Sequence, residues 1–169
     1  MRTLIRLDHS WFFATGDERA WIHADFLHGG WKEVTVPATN LALPWNGFDE
    51  GSYQFVSTWL RDFELAASGS DRGKRVFVDF EAVMASAKVF VNGELAGSHD
   101  GGYTPFSLEI GGLVRPGRNR LAVQVDSRET DSIPPFGHVV DYLSYGGIYR
   151  EAFVRVQDEA YIGDLFAKP

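Results

Sequence analysis

The sequence predicts an all-β antiparallel chain, a sandwich or a barrel, on three observations. Glycine and proline are frequent, at 18 and 7 copies, and aromatic residues make up 14% of the 169 positions. Short stretches alternate apolar and polar residues, the period of a strand with one buried face. Turn residues separate those stretches at intervals of roughly ten to twenty residues, as in sandwiches and barrels.

The candidate strands follow in chain order. The first are 3–7, 33–36 and 57–65. Next come 75–81 and 87–92, the second ending in Asn92-Gly93 ahead of 94–97. Asn-Gly predicts a tight hairpin, because both central residues of a type I′ turn need positive φ. A strand at 104–110 starts beside Pro105, which suits an edge or a strand start. The clearest strand is 120–126: Leu121, Val123 and Val125 share one side, while Arg120, Gln124 and Asp126 share the other with small Ala122. Arg115-Pro116-Gly117 leads into it as a type II turn. The last strand is 148–156. Only 17–26 could be a helix, and Ala20, Ile22, Phe26 and Leu27 fit helical spacing poorly. Two long irregular segments, 37–53 and 127–147, are expected to carry function or to cover another surface.

Composition removes several classes of function. The formal net charge is -7, which repels a polyanion, so no nucleic-acid partner is expected. Without cysteine there is no disulfide scaffold, thiolate metal site or thiol nucleophile. Charges interrupt the first eight residues, so no signal-peptide core forms, and no run of about 18 apolar residues predicts a membrane span. The expected location is the cytoplasm. Residues 160–169 are apolar and then stop at Lys168-Pro169, like the first strand of a following domain. The expected division is one domain over 1–157, with 158–169 as a linker or the start of a further domain, and the chain is expected to be a fragment.

A self-contained active site is not legible. There is no Gly-x-Ser-x-Gly elbow, no His-Glu-x-x-His and no phosphate-binding glycine loop. His9, His23, His28, His99 and His138 are scattered without metal-ligand spacing. Asp49 and Glu50 are adjacent in a loop, where extended neighbours point apart, and Asp141 lies in another. They make a poor pair of glycosidase carboxylates, which need about 5–10 Å between them. The residues by themselves therefore favour a binding or structural module. Sugar rings offer apolar faces to Trp and Tyr and hydroxyls to Asp, Asn and Arg. The stretches 43–55 and 136–145 hold that mixture. Packing in the core or against another domain is the competing reading for Trp45, Phe48, Tyr53 and Tyr145.

Several segments together, in order, resemble one family. They are Glu33-Val34-Thr35-Val36-Pro37, Trp59-Leu60-Arg61-Asp62-Phe63, the stretches 76–83 and 87–93, then 97–106, 117–125 and Gly146-Gly147-Ile148-Tyr149-Arg150-Glu151. The combination is similar to the N-terminal sugar-binding domain of glycoside hydrolase family 2, which includes β-galactosidases, β-glucuronidases and β-mannosidases. The resemblance covers about residues 30–156. Two places depart from the usual pattern: Pro37-Ala38 stands where Pro-His is common, and Trp59-Leu60-Arg61 where Trp-Tyr-Arg is common.

The resemblance implies an antiparallel jelly-roll β-sandwich of the galactose-binding-like kind. It also implies a following immunoglobulin-like domain and a catalytic barrel that holds both glutamates of a retaining mechanism, so this chain has no expected hydrolase activity of its own. The loops of the domain would complete the sugar pocket of that barrel. Asp141 stands six residues before Gly147, as the family's sugar-contacting Asp does, and takes that role by resemblance; Asn46 takes the matching Asn role. Trp45 and Tyr142 beside them complete the candidate substrate-binding set. The resemblance fixes no cofactor: Na+ or Mg2+ in the full-length enzyme stays open, and Asp141 would be the sodium contact. The implied partners are a β-linked carbohydrate, a galactoside before a glucuronide, and the missing domains, in a homo-oligomeric parent. An autonomous carbohydrate-binding module, a β-glucuronidase domain and a buttressing scaffold are the alternatives. An exposed apolar patch is expected where the missing domains would sit.

Overall fold

The computed structural model describes residues 2–16, 29–40, 52–66, 73–137, 139–140 and 142–168. Among the described residues, ten strands form: β1 (Thr3–Arg6), β2 (Trp11–Thr15), β3 (Lys32–Val34), β4 (Val56–Leu65), β5 (Lys74–Phe80), β6 (Ser86–Val91), β7 (Glu94–Asp100), β8 (Phe106–Glu109), β9 (Gly117–Asp126) and β10 (Ala152–Asp158). One sheet has four strands in the order β1-β10-β5-β8, and the other six in the order β3-β2-β4-β9-β6-β7. Every strand pairing is antiparallel. This is the all-β sandwich that the sequence predicts.

Alternation drives the layering. Trp59, Leu121, Val123 and Val125 of the larger sheet meet Val78, Phe80, Val154 and Val156 of the smaller in one buried cluster. Trp59 anchors it, fully buried, with its indole N–H donating to Ser57 Oγ at 3.0 Å and its ring edge-on to Phe13 at 4.8 Å. The Asn92-Gly93 turn forms as expected, with φ of 51° and 93°, and sets Val91 opposite Glu94.

The loop at 115–119 is closed by a buried side chain. Asn119 accepts from Arg115 N at 2.8 Å and Asn92 Nδ2 at 2.9 Å, and it donates to Arg115 O at 2.7 Å and Gly117 O at 2.9 Å. Asn92 in turn donates to Leu113 O and accepts from Arg120 N. Two asparagines thus satisfy backbone groups that strand ladders leave over.

Three details differ from the sequence expectation. β2 is a strand that alternation does not reveal: Trp11 enters the core, while Phe12 packs on the other side with Leu60, Ala122, Trp31 and Phe90. A central strand buried on both faces reads as a plain apolar run. The expected strand 148–156 begins only at Ala152, because Ile148 is held in a separate segment. Residues 160–168 carry no strand. The helix expected at 17–26 lies outside the described residues. Among the described residues, no helix is long and apolar enough to cross a membrane.

Candidate functional site

One end of the sandwich joins the described ends of the two irregular segments. Gly146-Gly147-Ile148 runs there between two neighbours. On one side Ala38 N donates to Ile148 O and Asn40 N to Gly146 O, both at 2.8 Å. On the other, Met84 N donates to Gly147 O at 3.0 Å and Gly147 N to Met84 O at 3.1 Å. The two glycines permit this approach. A Cβ on Gly146 would fall 2.2 Å from Ser127 Cβ, and one on Gly147 would fall 2.7 Å from Ala38 O. Gly147 also has φ of +120°, which L side chains rarely adopt.

A buried polar knot lies behind this ladder. Asn40 Nδ2 donates to Tyr53 O at 2.9 Å and to Ser127 Oγ at 3.0 Å. Ser127 Oγ lies 2.8 Å from both Tyr53 O and Phe55 O and accepts from Phe55 N at 3.1 Å. Asn40 therefore closes the root of the loop that carries Trp45 and Asn46, and Gly146, hydrogen-bonded to Asn40, ends the loop that carries Asp141. Sequence reasoning missed Asn40, Tyr53 and Ser127 as organisers. Their partners lie 13 to 87 residues apart in sequence, with no local motif to betray them.

Trp45, Asn46 and Asp141 lie outside the described residues, and with Asp141 the sodium contact inferred for it. The same holds for Asp49 and Glu50. Tyr142 is described and is 57% exposed. Partial burial of its hydroxyl and then a hydrogen bond with Tyr142 push Tyr103 up to about 12. Tyr149 donates from its hydroxyl to Gly102 O, and burial raises its pKa. A row of phenols thus ties the turn at 101–104 to the segment 142–149. Tyr103, Phe136, Val139 and Tyr142 are the large apolar or aromatic side chains exposed on these loops.

Elsewhere the chemistry is spent internally. Arg155 donates from Nε to Asp79 Oδ2 at 2.6 Å and from Nη2 to Asp79 Oδ1 at 2.9 Å, on the outer face of the smaller sheet. Ser107 donates to Asp79 Oδ1, and Gln157 accepts from Arg155 Nη1. His99 stacks on Phe106 at 4.3 Å and shares a hydrogen bond with Thr104. Among the described residues, no three His, Asp or Glu side chains gather to hold a metal ion.

Residues 4–157 match the family model described as glycosyl hydrolases family 2, sugar binding domain. The chain is 38% identical over 167 residues to a β-galactosidase of Thermoanaerobacter pseudethanolicus, a match that takes in 98% of this chain and 22% of that protein. It is 40% identical, again over 167 residues, to a β-galactosidase of Thermoanaerobacterium thermosulfurigenes, covering 98% of this chain and 23% of that protein. Among solved structures, a Bacteroides uniformis β-glucuronidase superposes with a TM-score of 0.80 at 28% identity, over 94% of this chain and 18% of that one. The chain thus spans less than a quarter of the length of the relatives it matches.

Proposed function

The chain belongs to the sugar-binding domains of the glycosyl hydrolases family 2, and from that premise we propose that it forms one wall of the sugar pocket of an exo-acting, retaining β-galactosidase. The observation that carries the reading is the joined root of the two candidate loops, through the bonds from Asn40 N to Gly146 O and from Asn40 Nδ2 to Tyr53 O. Loops tied at one root can present residues from both to one ligand. Asp141 then accepts hydrogen bonds from two sugar hydroxyls, for which an ionised carboxylate is suited. Asn46 adds a donor and an acceptor, and Trp45 and Tyr142 stack on the apolar face of the ring. The exposure of Tyr142 supports such a contact.

The acid-base and nucleophilic groups belong to a further domain, reached through residues 158–169. A galactoside is preferred to a glucuronide because the two relatives at 38% and 40% identity over 98% of the chain are named β-galactosidases, while a relative named for β-glucuronidase matches 97% of the chain at 26%.

The test is Asp141→Ala in the full-length enzyme, assayed on aryl β-galactoside and aryl β-glucuronide. Loss of a charge-assisted contact in the transition state should lower kcat/KM by about 100- to 1000-fold with the melting temperature unchanged. Turnover within twofold of wild type would sink the role of Asp141. Faster turnover of the glucuronide would overturn the galactoside preference. Saturable galactose binding by this chain alone would favour an autonomous binding module instead.

A further inference from the structure

The end of the sandwich opposite the candidate sugar loops concentrates arginine. The described roots of those loops meet at Ser127, where β9 finishes at Asp126, and Arg118 and Arg120 stand near its start. Ten residues of strand separate those ends by about 30 Å. Two adjoining concavities occur there. One, of about 220 Å3, is lined by Asp62, Arg115, Arg118, Arg120, Asn92 and Asn119. The other, of about 360 Å3, is lined by Arg61, Asp62, Phe63, Glu64, Arg118 and Ile5. Four arginines and two carboxylates thus line these concavities, in a chain whose formal net charge is -7.

The pairing leaves cationic capacity over. Asp62 is saturated: it accepts from Arg120 Nε at 2.9 Å, Arg120 Nη2 at 3.3 Å, Arg118 Nε at 3.1 Å and Arg118 Nη2. Among the described residues, the hydrogen bonds of the other two arginines go to backbone oxygens. Arg115 donates from Nε to Arg118 O at 3.2 Å, and Arg61 donates from Nη1 to Asp62 O at 2.5 Å. Arg61 Nε is buried without a partner among the described residues. Burial lowers the Arg61 pKa, against the opposing charge of Asp62. Arg115 and Arg118 are exposed at the mouth.

We propose that this end of the domain is an oxyanion-binding site that takes a phosphate or sulfate group, with Arg115 and Arg118 as its direct ligands. Guanidinium presents paired N–H donors that match such oxygens in a fork, which an ammonium cannot do. Arg120 sits deeper, paired with Asp62, and Arg61 lines the adjoining concavity. Asn92 and Asn119 shape the wall; the amide protons of Asn92 are already committed to Leu113 O and Asn119 Oδ1, and those of Asn119 to Arg115 O and Gly117 O. The site is separate from the sugar loops, so it stands or falls independently of the function proposed above. The oxyanion could arrive as the free ion or as the sulfate ester of a sugar.

The experiment titrates this chain with sodium phosphate, sodium sulfate and galactose 6-sulfate, against sodium chloride of matched ionic strength. Melting temperature and the arginine Nε–Hε NMR signals are followed. At about 10 mM, where the general salting-out effect of these anions is small, phosphate or sulfate should raise the melting temperature about 3 °C above the chloride control. The Arg115 and Arg118 signals should move. Arg115→Ala with Arg118→Ala should abolish the excess shift, and Arg115→Lys with Arg118→Lys should keep only part of it. If the double alanine variant does not fold, Arg115→Ala alone serves, since its side chain holds only a backbone carbonyl. Tighter binding of galactose 6-sulfate than of the free ions identifies the ester as the source; response to the free ions alone identifies the ion. Equal responses of wild type and alanine variants, or no shift beyond chloride, would overturn the site.

Discussion

Replacing Gly146 by alanine puts one methyl group into the tightest part of the loop end. The new Cβ would sit 2.2 Å from Ser127 Cβ, 2.6 Å from Asn40 Nδ2 and 2.7 Å from Ser127 Oγ. Contacts that short force the neighbours apart; Ser127 Cβ is anchored to its backbone, and Asn40 Nδ2 is held by its bonds to Tyr53 O and Ser127 Oγ. Overpacking of a dense site costs about 1–3 kcal/mol. The displacement also weakens the bonds from Asn40 N to Gly146 O and from Asn40 Nδ2 to Ser127 Oγ, at about 1 kcal/mol each. A loss of about 4 kcal/mol follows, which for a domain of this size lowers the melting temperature by about 12 °C. Calorimetry with a parallel urea denaturation curve measures it. Gly112→Ala is the control, since its Cβ would meet no atom within 4 Å, and it should change stability by less than about 0.5 kcal/mol. A Gly146→Ala variant that melts within about 2 °C of wild type would refute the close packing argued here.

Two further outcomes are expected. Asn119→Ala removes four hydrogen bonds from a fully buried position and should cost about 3 kcal/mol by urea denaturation; a cost under about 1 kcal/mol would mean that water replaces the side chain. Burial alone would raise the Asp62 pKa, but hydrogen bonds from Arg120 and Arg118 outweigh it and hold the carboxyl below its ordinary value. A depressed carboxyl contributes stability that is complete above the unfolded pKa and is lost as pH falls through the folded one, here below about pH 4. Asp62→Asn should therefore flatten part of the stability loss between about pH 4 and pH 2, and an acid limb unchanged in that variant would contradict the pairing.

Much of the fold was legible because side-chain period reports burial. Arg120 to Asp126 alternates and is strand, and Asn92-Gly93 turns as its positive φ values require. β2 was not legible, since Trp11 and Phe12 serve opposite layers and leave no polar gap to count. At the candidate site, the ordered motifs pointed to Asp141 and Asn46 by resemblance. The knot of Asn40, Tyr53 and Ser127 that joins the roots of their loops has no sequence signature, because each polar residue looks like ordinary loop composition until its partner is known.

The amino-acid order alone determined a cysteine-free antiparallel β chain and its likeness to a sugar-binding family, because alternation, turn residues and motif order are local along the chain. Only the tertiary structure decided which distant residues share a surface. Arg118 and Arg120 meet at one carboxylate because β4 and β9 pair antiparallel, with Asp62 opposite Arg120. Gly146 must be small because Asn40 and Ser127 close on it. Both follow from register and packing density, which depend on contacts between segments and are set only when the two sheets close on one core.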